Sequence, residues 1–226
     1  MEPKHPEITI VLATGNKDKV RELKPVLEGL ASGISVRSLH DLGLDIDVEE
    51  TEPTLEGNAQ LKVEAIFELV APRLDWFIAL ADDTGLEVEA LGGAPGVYSA
   101  RYAPMPEGVA RTYEDNVRHL LSEMCEKCER TARFRTVIAM KGRLPSANGG
   151  EMLIDETTDG HIDGTITTEP QGNGGFGYDP VFAPEGMDRT FAQLSIDEKN
   201  AISHRGRAVV EAAQRIGEFL SRCGIQ

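Results

Sequence analysis

Asp82-Asp83-Thr84-Gly85 sets two carboxylates side by side, directly after the apolar run Trp76–Ala81. The run reads as a buried strand and the acidic pair as its end, where open α/β sheets take their ligands. Adjacent carboxylates repel one another unless a cation compensates them. Mg²⁺ prefers carboxylate oxygens and keeps several waters, one of which can act as a nucleophile. A further carboxylate is available in the acidic run Glu49-Glu50-Thr51-Glu52. Alone, the first segment is equally an acidic turn or a helix cap, and the second a solvated loop.

Three more segments carry chemistry. Thr14-Gly15-Asn16-Lys17-Asp18-Lys19 follows the apolar, β-branched run Ile8–Ala13. A strand, a polar turn and a helix present backbone N–H groups to phosphate. Lys17 and Lys19 stand where the helix dipole disfavours cations, a placement that makes sense if an anion arrives. GxxxxGK[ST] is absent, so this is no Walker A loop, and two surface lysines in a polar loop would read the same. Gly172-Asn173-Gly174-Gly175-Phe176-Gly177-Tyr178-Asp179-Pro180 flanks two aromatics with glycines, which lets backbone approach a flat ligand while a ring stacks on it. Asp179 can accept a hydrogen bond from a base N–H; a glycine turn that returns Phe176 to the core is the alternative. Finally, Lys199 and Ser203-His204-Arg205-Gly206-Arg207 gather cations at the start of the last helix. Ser203 as an N-cap with solvated neighbours is the plainer account.

The elements that must hold these residues alternate. Val20, Leu23, Leu27 and Leu30 predict a helix after the first strand, which Pro25 should kink or interrupt. A second helix fits Leu55–Ala71. Leu86, Val88 and Ala90 alternate with acids, as in a half-buried strand, and run into Leu91-Gly92-Gly93. Thr112 can cap a helix burying Val117, Leu120, Leu121 and Met124. Ala132–Met140 reads as a strand, residues 141–150 as an exposed loop, His161–Thr168 as another strand, and Ala201–Cys223 as the last helix. The order is that of an α/β domain. Cys125 and Cys128 have CxxC spacing, but on an amphipathic helix, with no second CxxC and no His pair, so a zinc or redox site is not expected.

The chain has 226 residues, 40% of them hydrophobic, enough for a substantial core in one domain or in two lobes of one. Three cysteines, an odd number, suit a reducing compartment. The first residues lack a cationic lead and an apolar stretch, and no run approaches bilayer length, so a soluble, unexported protein is expected. A net charge of −15 disfavours nonspecific nucleic-acid binding. A small phosphorylated substrate would need local cations and a divalent metal.

Taken together, these segments resemble the inosine triphosphate pyrophosphatase family, also called XTP/dITP diphosphatases. The resemblance runs from Ile10 to about Val210 and is carried by TGNKDKVREL, EETEPTLEGNAQLKVEA, ADDTGLEVEALGGAPGVYSARYA, GGFGYDPVF and SHRGRA, in family order. It implies an α/β fold with a long central mixed sheet flanked by helices, two lobes within a single domain spanning residues 1–226, and an active site in the cleft between them. It also implies hydrolysis of ITP, dITP and XTP to the monophosphate and pyrophosphate, cleansing the nucleotide pool. Thr14, Gly15, Asn16, Lys17, Asp18 and Lys19 match the triphosphate loop. Glu50 and Asp83 match the carboxylates for Mg²⁺, with Mn²⁺ as a substitute. Asp83 is also the implied activator of the attacking water, supported by Asp82 and Lys19. Lys62 would neutralise phosphate charge, and Thr84 stands where serine is usual. Phe176, Gly177, Tyr178 and Asp179 would stack on and read the purine, and Lys199, His204 and Arg205 complete the substrate contacts. A cytoplasmic homodimer, acting on neither nucleic acid nor membrane, is implied as well.

Deamination turns the 6-amino donor of adenine into a 6-oxo acceptor. A pocket donor such as Arg205 or a backbone N–H would pair with that oxygen and face another donor in ATP. GTP shares the 6-oxo group, and the sequence shows no device against it. Two other readings compete: a pyrophosphatase of modified pyrimidine nucleotides, and a nucleotide-binding module without turnover.

Overall fold

A computed structural model describes residues 7–14, 17–30, 34–146 and 148–225, with the side chains of residues 17, 18, 21 and 22 outside the description. The elements, in chain order, are β1 (Ile8–Leu12), α1 (Lys17–Glu28), β2 (Ile34–Ser38), α2 (Leu55–Val70), β3 (Phe77–Val88), β4 (Pro95–Gly96), α3 (Tyr113–Glu123), β5 (Thr131–Pro145), β6 (Glu151–Ile166), β7 (Phe182–Pro184), α4 (Ile196–Ile202) and α5 (His204–Arg222). The fold is α/β with a mixed sheet flanked by helices, as expected. β1 pairs in parallel with β2 and β3, whereas β4 on β3 and β7 on β6 are antiparallel.

The chain divides into two compact units. One comprises residues 1–83, 137–159 and 208–226, the other residues 84–136 and 160–207. β3, β5 and β6 therefore each contribute one part to each unit. In the first unit, Ile8, Ile10, Leu12, Ile78, Leu80, Ile138 and Met140 form one sheet face and pack on Leu23 and Leu27 of α1 and on Val209, Ala212 and Ile216 of α5. The alternate residues face α2, where Phe67 and Phe77 place their rings 5.4 Å apart. In the second unit Leu86, Val88, Phe134, Ile162, Val181, Phe182 and Phe191 enclose a separate core against α3. Among the described residues no helix is long and apolar enough to cross a membrane.

Several expectations are corrected. Asp82 to Gly85 do not end a strand; β3 runs through them for 12 residues. β5 continues to Pro145, because the alternation persists. Gly142 and Leu144 point inward, while Lys141 meets Glu64 and Asp155, and Arg143 donates to the carbonyls of Ala71, Leu74 and Asp75. The polar loop shrinks to the few residues before β6. That strand starts ten residues earlier than expected, since Thr158 and Gly160 on its buried face hide the apolar period. The last helix is two, broken at Ser203, whose Oγ caps Gly206 N–H at 3.0 Å. Pro25 lies inside an uninterrupted α1, held by the burial of Leu23 and Leu27. Cys125 and Cys128 sit in the turn after α3, not on it. Thr112 caps α3 as expected, in a reciprocal box with Asp115. β2, β4 and β7 were not foreseen.

Gly142 lies where β5 passes β3 so closely that a Cβ would drive into the backbone of Phe77 and Ile78. Backbone cannot swing aside as a side chain can. Gly142→Ala is therefore expected to destabilise the protein by about 1–3 kcal/mol, checked by urea denaturation.

Candidate active site

In a strand, neighbouring side chains point to opposite faces. Asp82 shares its face with Ile78 and Leu80, toward α1. Asp83 shares its face with Phe77, toward α2. The two carboxylates are thus separated by the sheet itself, and each meets its own lysine. Lys19, in the first turn of α1, places Nζ 2.8 Å from Asp82 Oδ2. Lys62, midway along α2, places Nζ 2.7 Å from Asp83 Oδ1 and 2.6 Å from Glu50 Oε1. The cation at the α1 N-terminus therefore has a protein anion beside it.

Asp82 and Asp83 are both buried. Burial pushes the Asp83 carboxyl above the usual carboxylate range, outweighing the attraction of Lys62. Burial works against the Lys62 charge too, but there Asp83 and Glu50 prevail and its pKa is raised. Asp83 Oδ2 is buried without a hydrogen-bond partner. Such an orphaned acceptor costs about 1–3 kcal/mol or more when charged. The set suits a divalent cation on that observation: an acceptor without a donor, beside a second carboxylate that converges on the same ammonium. No three metal-ligating side chains cluster among the described residues. Two carboxylates completed by waters and substrate phosphates are nonetheless how Mg²⁺ is commonly held.

The other predicted residues group in the second unit. Phe176, half-buried, lies beneath Lys199 Nζ at 4.7 Å and Arg205 Cζ at 5.4 Å from its ring centre. Asp179, 2% exposed, has Oδ2 committed inside the protein: it accepts from Phe176 N–H at 2.8 Å and from Lys199 Nζ at 2.7 Å. Burial nevertheless pushes its carboxyl up, with Lys199 opposing. A Cβ on Gly175, where φ is +69°, would run into that same Oδ2, so the turn admits only glycine. Tyr178 is buried and donates its hydroxyl to Ser99 O at 2.9 Å. Gly177 adopts φ +62°. Arg205 donates to Thr84 Oγ1 at 3.3 Å, and Thr84 and Thr136 share a 2.8 Å hydrogen bond. His204 is buried and stacks on Phe134, with ring centres 4.6 Å apart.

Of the six residues expected to bind triphosphate, Thr14 and Lys19 are described; Gly15 and Asn16, and the side chains of Lys17 and Asp18, lie outside the described residues. The sequence reading missed Thr136 and Asn58. A threonine among apolar strand residues and an asparagine in the first turn of a helix are common, so neither offers a signal alone.

A family model for the Ham1 family matches residues 10–215. A dITP/XTP pyrophosphatase of Chlorobaculum tepidum is 89% identical over the full length of both chains. One from Bacillus subtilis is 43% identical over 88% of this chain and 92% of its own. Among solved structures, a HAM1 protein from Coxiella burnetii aligns with TM-score 0.77 and 34% identity, over 93% of this chain and 99% of its own. The Ham1 protein of Staphylococcus aureus gives 0.74 and 36%, over 92% and 97%. The chain belongs to the Ham1 family, which bears out the resemblance read from its motifs.

The Asp179–Lys199 pair generates a pH prediction. A buried acid with a raised pKa keeps its proton in the folded state where the unfolded chain has lost it, so stability falls as pH rises above the ordinary carboxylate value. Lys199→Met removes the charge that restrains this shift and widens the window. Its deficit against the parent should be small at pH 4 and reach about 3 kcal/mol at pH 8 in urea melts. A deficit independent of pH would count against a buried charge pair.

Proposed function

We propose that the chain hydrolyses ITP, dITP and XTP to the monophosphate and pyrophosphate, using a divalent metal ion held by Glu50 and Asp83. It is a nucleoside-triphosphate pyrophosphohydrolase, and the observation that carries the chemical reading is the Glu50–Lys62–Asp83 set with its buried, orphaned Asp83 Oδ2. A bound Mg²⁺, or Mn²⁺ in its place, would neutralise phosphate charge and lower the pKa of a water. Asp83, buried with one carboxylate oxygen lacking a donor, is the group assigned to take the proton from the water that attacks the α-phosphorus. Lys62 then loses one of its carboxylate partners to protonation and turns its charge toward the departing pyrophosphate. Lys19, held by Asp82, supplies a second cation from the first turn of α1, within the segment Thr14 to Lys19 assigned to the triphosphate.

The base falls to the second unit. Phe176 offers a ring face for stacking, with Lys199 and Arg205 beside it. Arg205 supplies a donor for a 6-oxo group, Thr84 accepts a hydrogen bond from it, and His204, stacked on Phe134, is assigned as a further substrate contact. Asp179 serves this subsite by fixing the loop. Adenine would set its 6-amino donor against the guanidinium and leave both unpaired, the arrangement by which polar sites reject analogues most strongly.

The net charge of −15 supports free nucleotides rather than nucleic acid as the substrate. The three cysteines, all free thiols, support a reducing cytoplasm. A homodimer remains part of the proposal, as does action away from membranes.

The test is divalent-dependent pyrophosphate release from ITP, XTP, dITP, GTP and ATP. Turnover of the three deaminated nucleotides should exceed that of ATP and GTP; equal rates on ITP and GTP would overturn the specificity. Asp83→Asn is expected to lower kcat by about 10²–10⁴-fold, with folding checked by thermal melting.

A further inference from the structure

Asn58 is fully buried in the first turn of α2, and neither the metal nor the substrate assignment gives it a task. Its Oδ1 accepts a hydrogen bond from the backbone N–H of Glu52 at 3.0 Å. Gly57 closes on the same residue, since a Cβ there would come within 2.6 Å of Glu52 Cβ. Thr54 joins this clamp by capping Gly57 N–H at 3.1 Å. Glu52 is thus held by the helix at its backbone and along its side-chain stem.

Glu50 lies two residues earlier, in a stretch, residues 44–52, with neither helix nor strand to fix it. It nonetheless reaches Lys62 at 2.6 Å. Lys62 holds its carboxylate, and the backbone that carries it is tied to the helix two residues on, where Glu52 N–H meets Asn58 Oδ1. The amide is also costly where it stands: its Nδ2 is buried with no hydrogen-bond partner. A leucine of similar size would avoid that penalty, so packing alone does not call for an amide here.

We propose that Asn58 is a positioning residue whose side-chain carbonyl, through Glu52 N–H, sets Glu50 for the metal ion. The inference rests on the assignment of Glu50 and Asp83 to that ion.

Mn²⁺ binding to the full chain without nucleotide, followed by loss of the free-ion paramagnetic resonance signal, reads the site independently of turnover. Asn58→Leu keeps volume and removes the acceptor; Mn²⁺ affinity should fall by about 10–100-fold, the range found when partners of metal ligands are removed. Asn58→Asp restores an oxygen for Glu52 N–H and should recover affinity. Gly57→Ala displaces Glu52 without touching Asn58 and should weaken Mn²⁺ in the same direction, which decides the matter if Asn58→Leu fails to fold. Thr112→Ala, which breaks the α3 cap in the second unit, should lower the melting temperature and leave Mn²⁺ affinity alone. If Asn58→Leu and Gly57→Ala behave like Thr112→Ala while Glu50→Gln loses Mn²⁺, the positioning role is overturned and the metal assignment stands. If Glu50→Gln binds Mn²⁺ as the parent does, the metal assignment fails and the inference falls with it.

Discussion

A carboxylate taken out of water must meet a cation or keep its proton. The middle of β3 carries two of them in succession, both buried. One sheet face could not hold them without severe repulsion. The twofold period of the strand sends Asp82 to one side and Asp83 to the other, and the fold then has to bring a lysine to each. α1 and α2 occupy opposite faces of the sheet, and Lys19 and Lys62 reach in from them. Placing helices on both faces of this sheet is therefore also the condition for charging its centre. Buried ion pairs add little to stability against apolar residues of equal volume. Their presence here is better explained by the chemistry they permit.

The same device recurs in the second unit with a different outcome. Asp179 and Lys199 are more deeply enclosed than Lys62 and Lys19, with side chains 3% and 7% exposed against 17% and 18% for the two lysines of the first unit. A lysine that retains some contact with solvent can exchange a carboxylate for a phosphate without moving its backbone. Lys199 cannot do so as freely, and its ammonium stands over the Phe176 ring while its partner carboxylate holds Phe176 N–H. That pair is built to keep an aromatic surface in place. Asp179, expected from sequence to read a base directly, acts first on the loop.

Much of this was legible in the residues. The apolar periods of β1 and α2, the Thr112 cap and the glycine–aromatic run identify their elements because each obeys one local rule. β3 was read as two strands parted at Asp82 to Gly85, because charged residues at a strand centre are costly unless compensated. Their compensation comes from Lys19 and Lys62, which belong to other elements far back in the chain. The first part of β6 was hidden for the opposite reason: threonine and glycine occupy the buried positions 158 and 160, and Thr158 hydrogen-bonds Ala208 O. The break at Ser203 was visible as a cap but not as a boundary, since both flanking segments are helical. Proximity of Glu50 to Asp83 could not be read from spacing at all; it depends on an irregular stretch anchored by Asn58.

The correction to β3 changes the physical character of the site. At a strand end, Asp83 would sit on chain free to adjust its backbone torsions as ligands come and go. Within a strand, its backbone groups belong to the sheet ladder and its χ angles are its main freedom. Fixed charges that need not reorganise are the more effective ones for a transition state whose charge appears in one place. Adaptability is needed instead where a substrate is first captured. Glu50 belongs to the adaptable class by its local structure, because it stands on irregular chain. The hydrogen bond from Glu52 N–H to Asn58 moves it into the rigid class, by tying irregular chain to a helix whose other residue of interest is Lys62. Glu50, Lys62 and Asp83 are in this way referred to a single helix and a single strand, which is the condition for two carboxylates and an ammonium to keep fixed distances while phosphate charge enters and leaves.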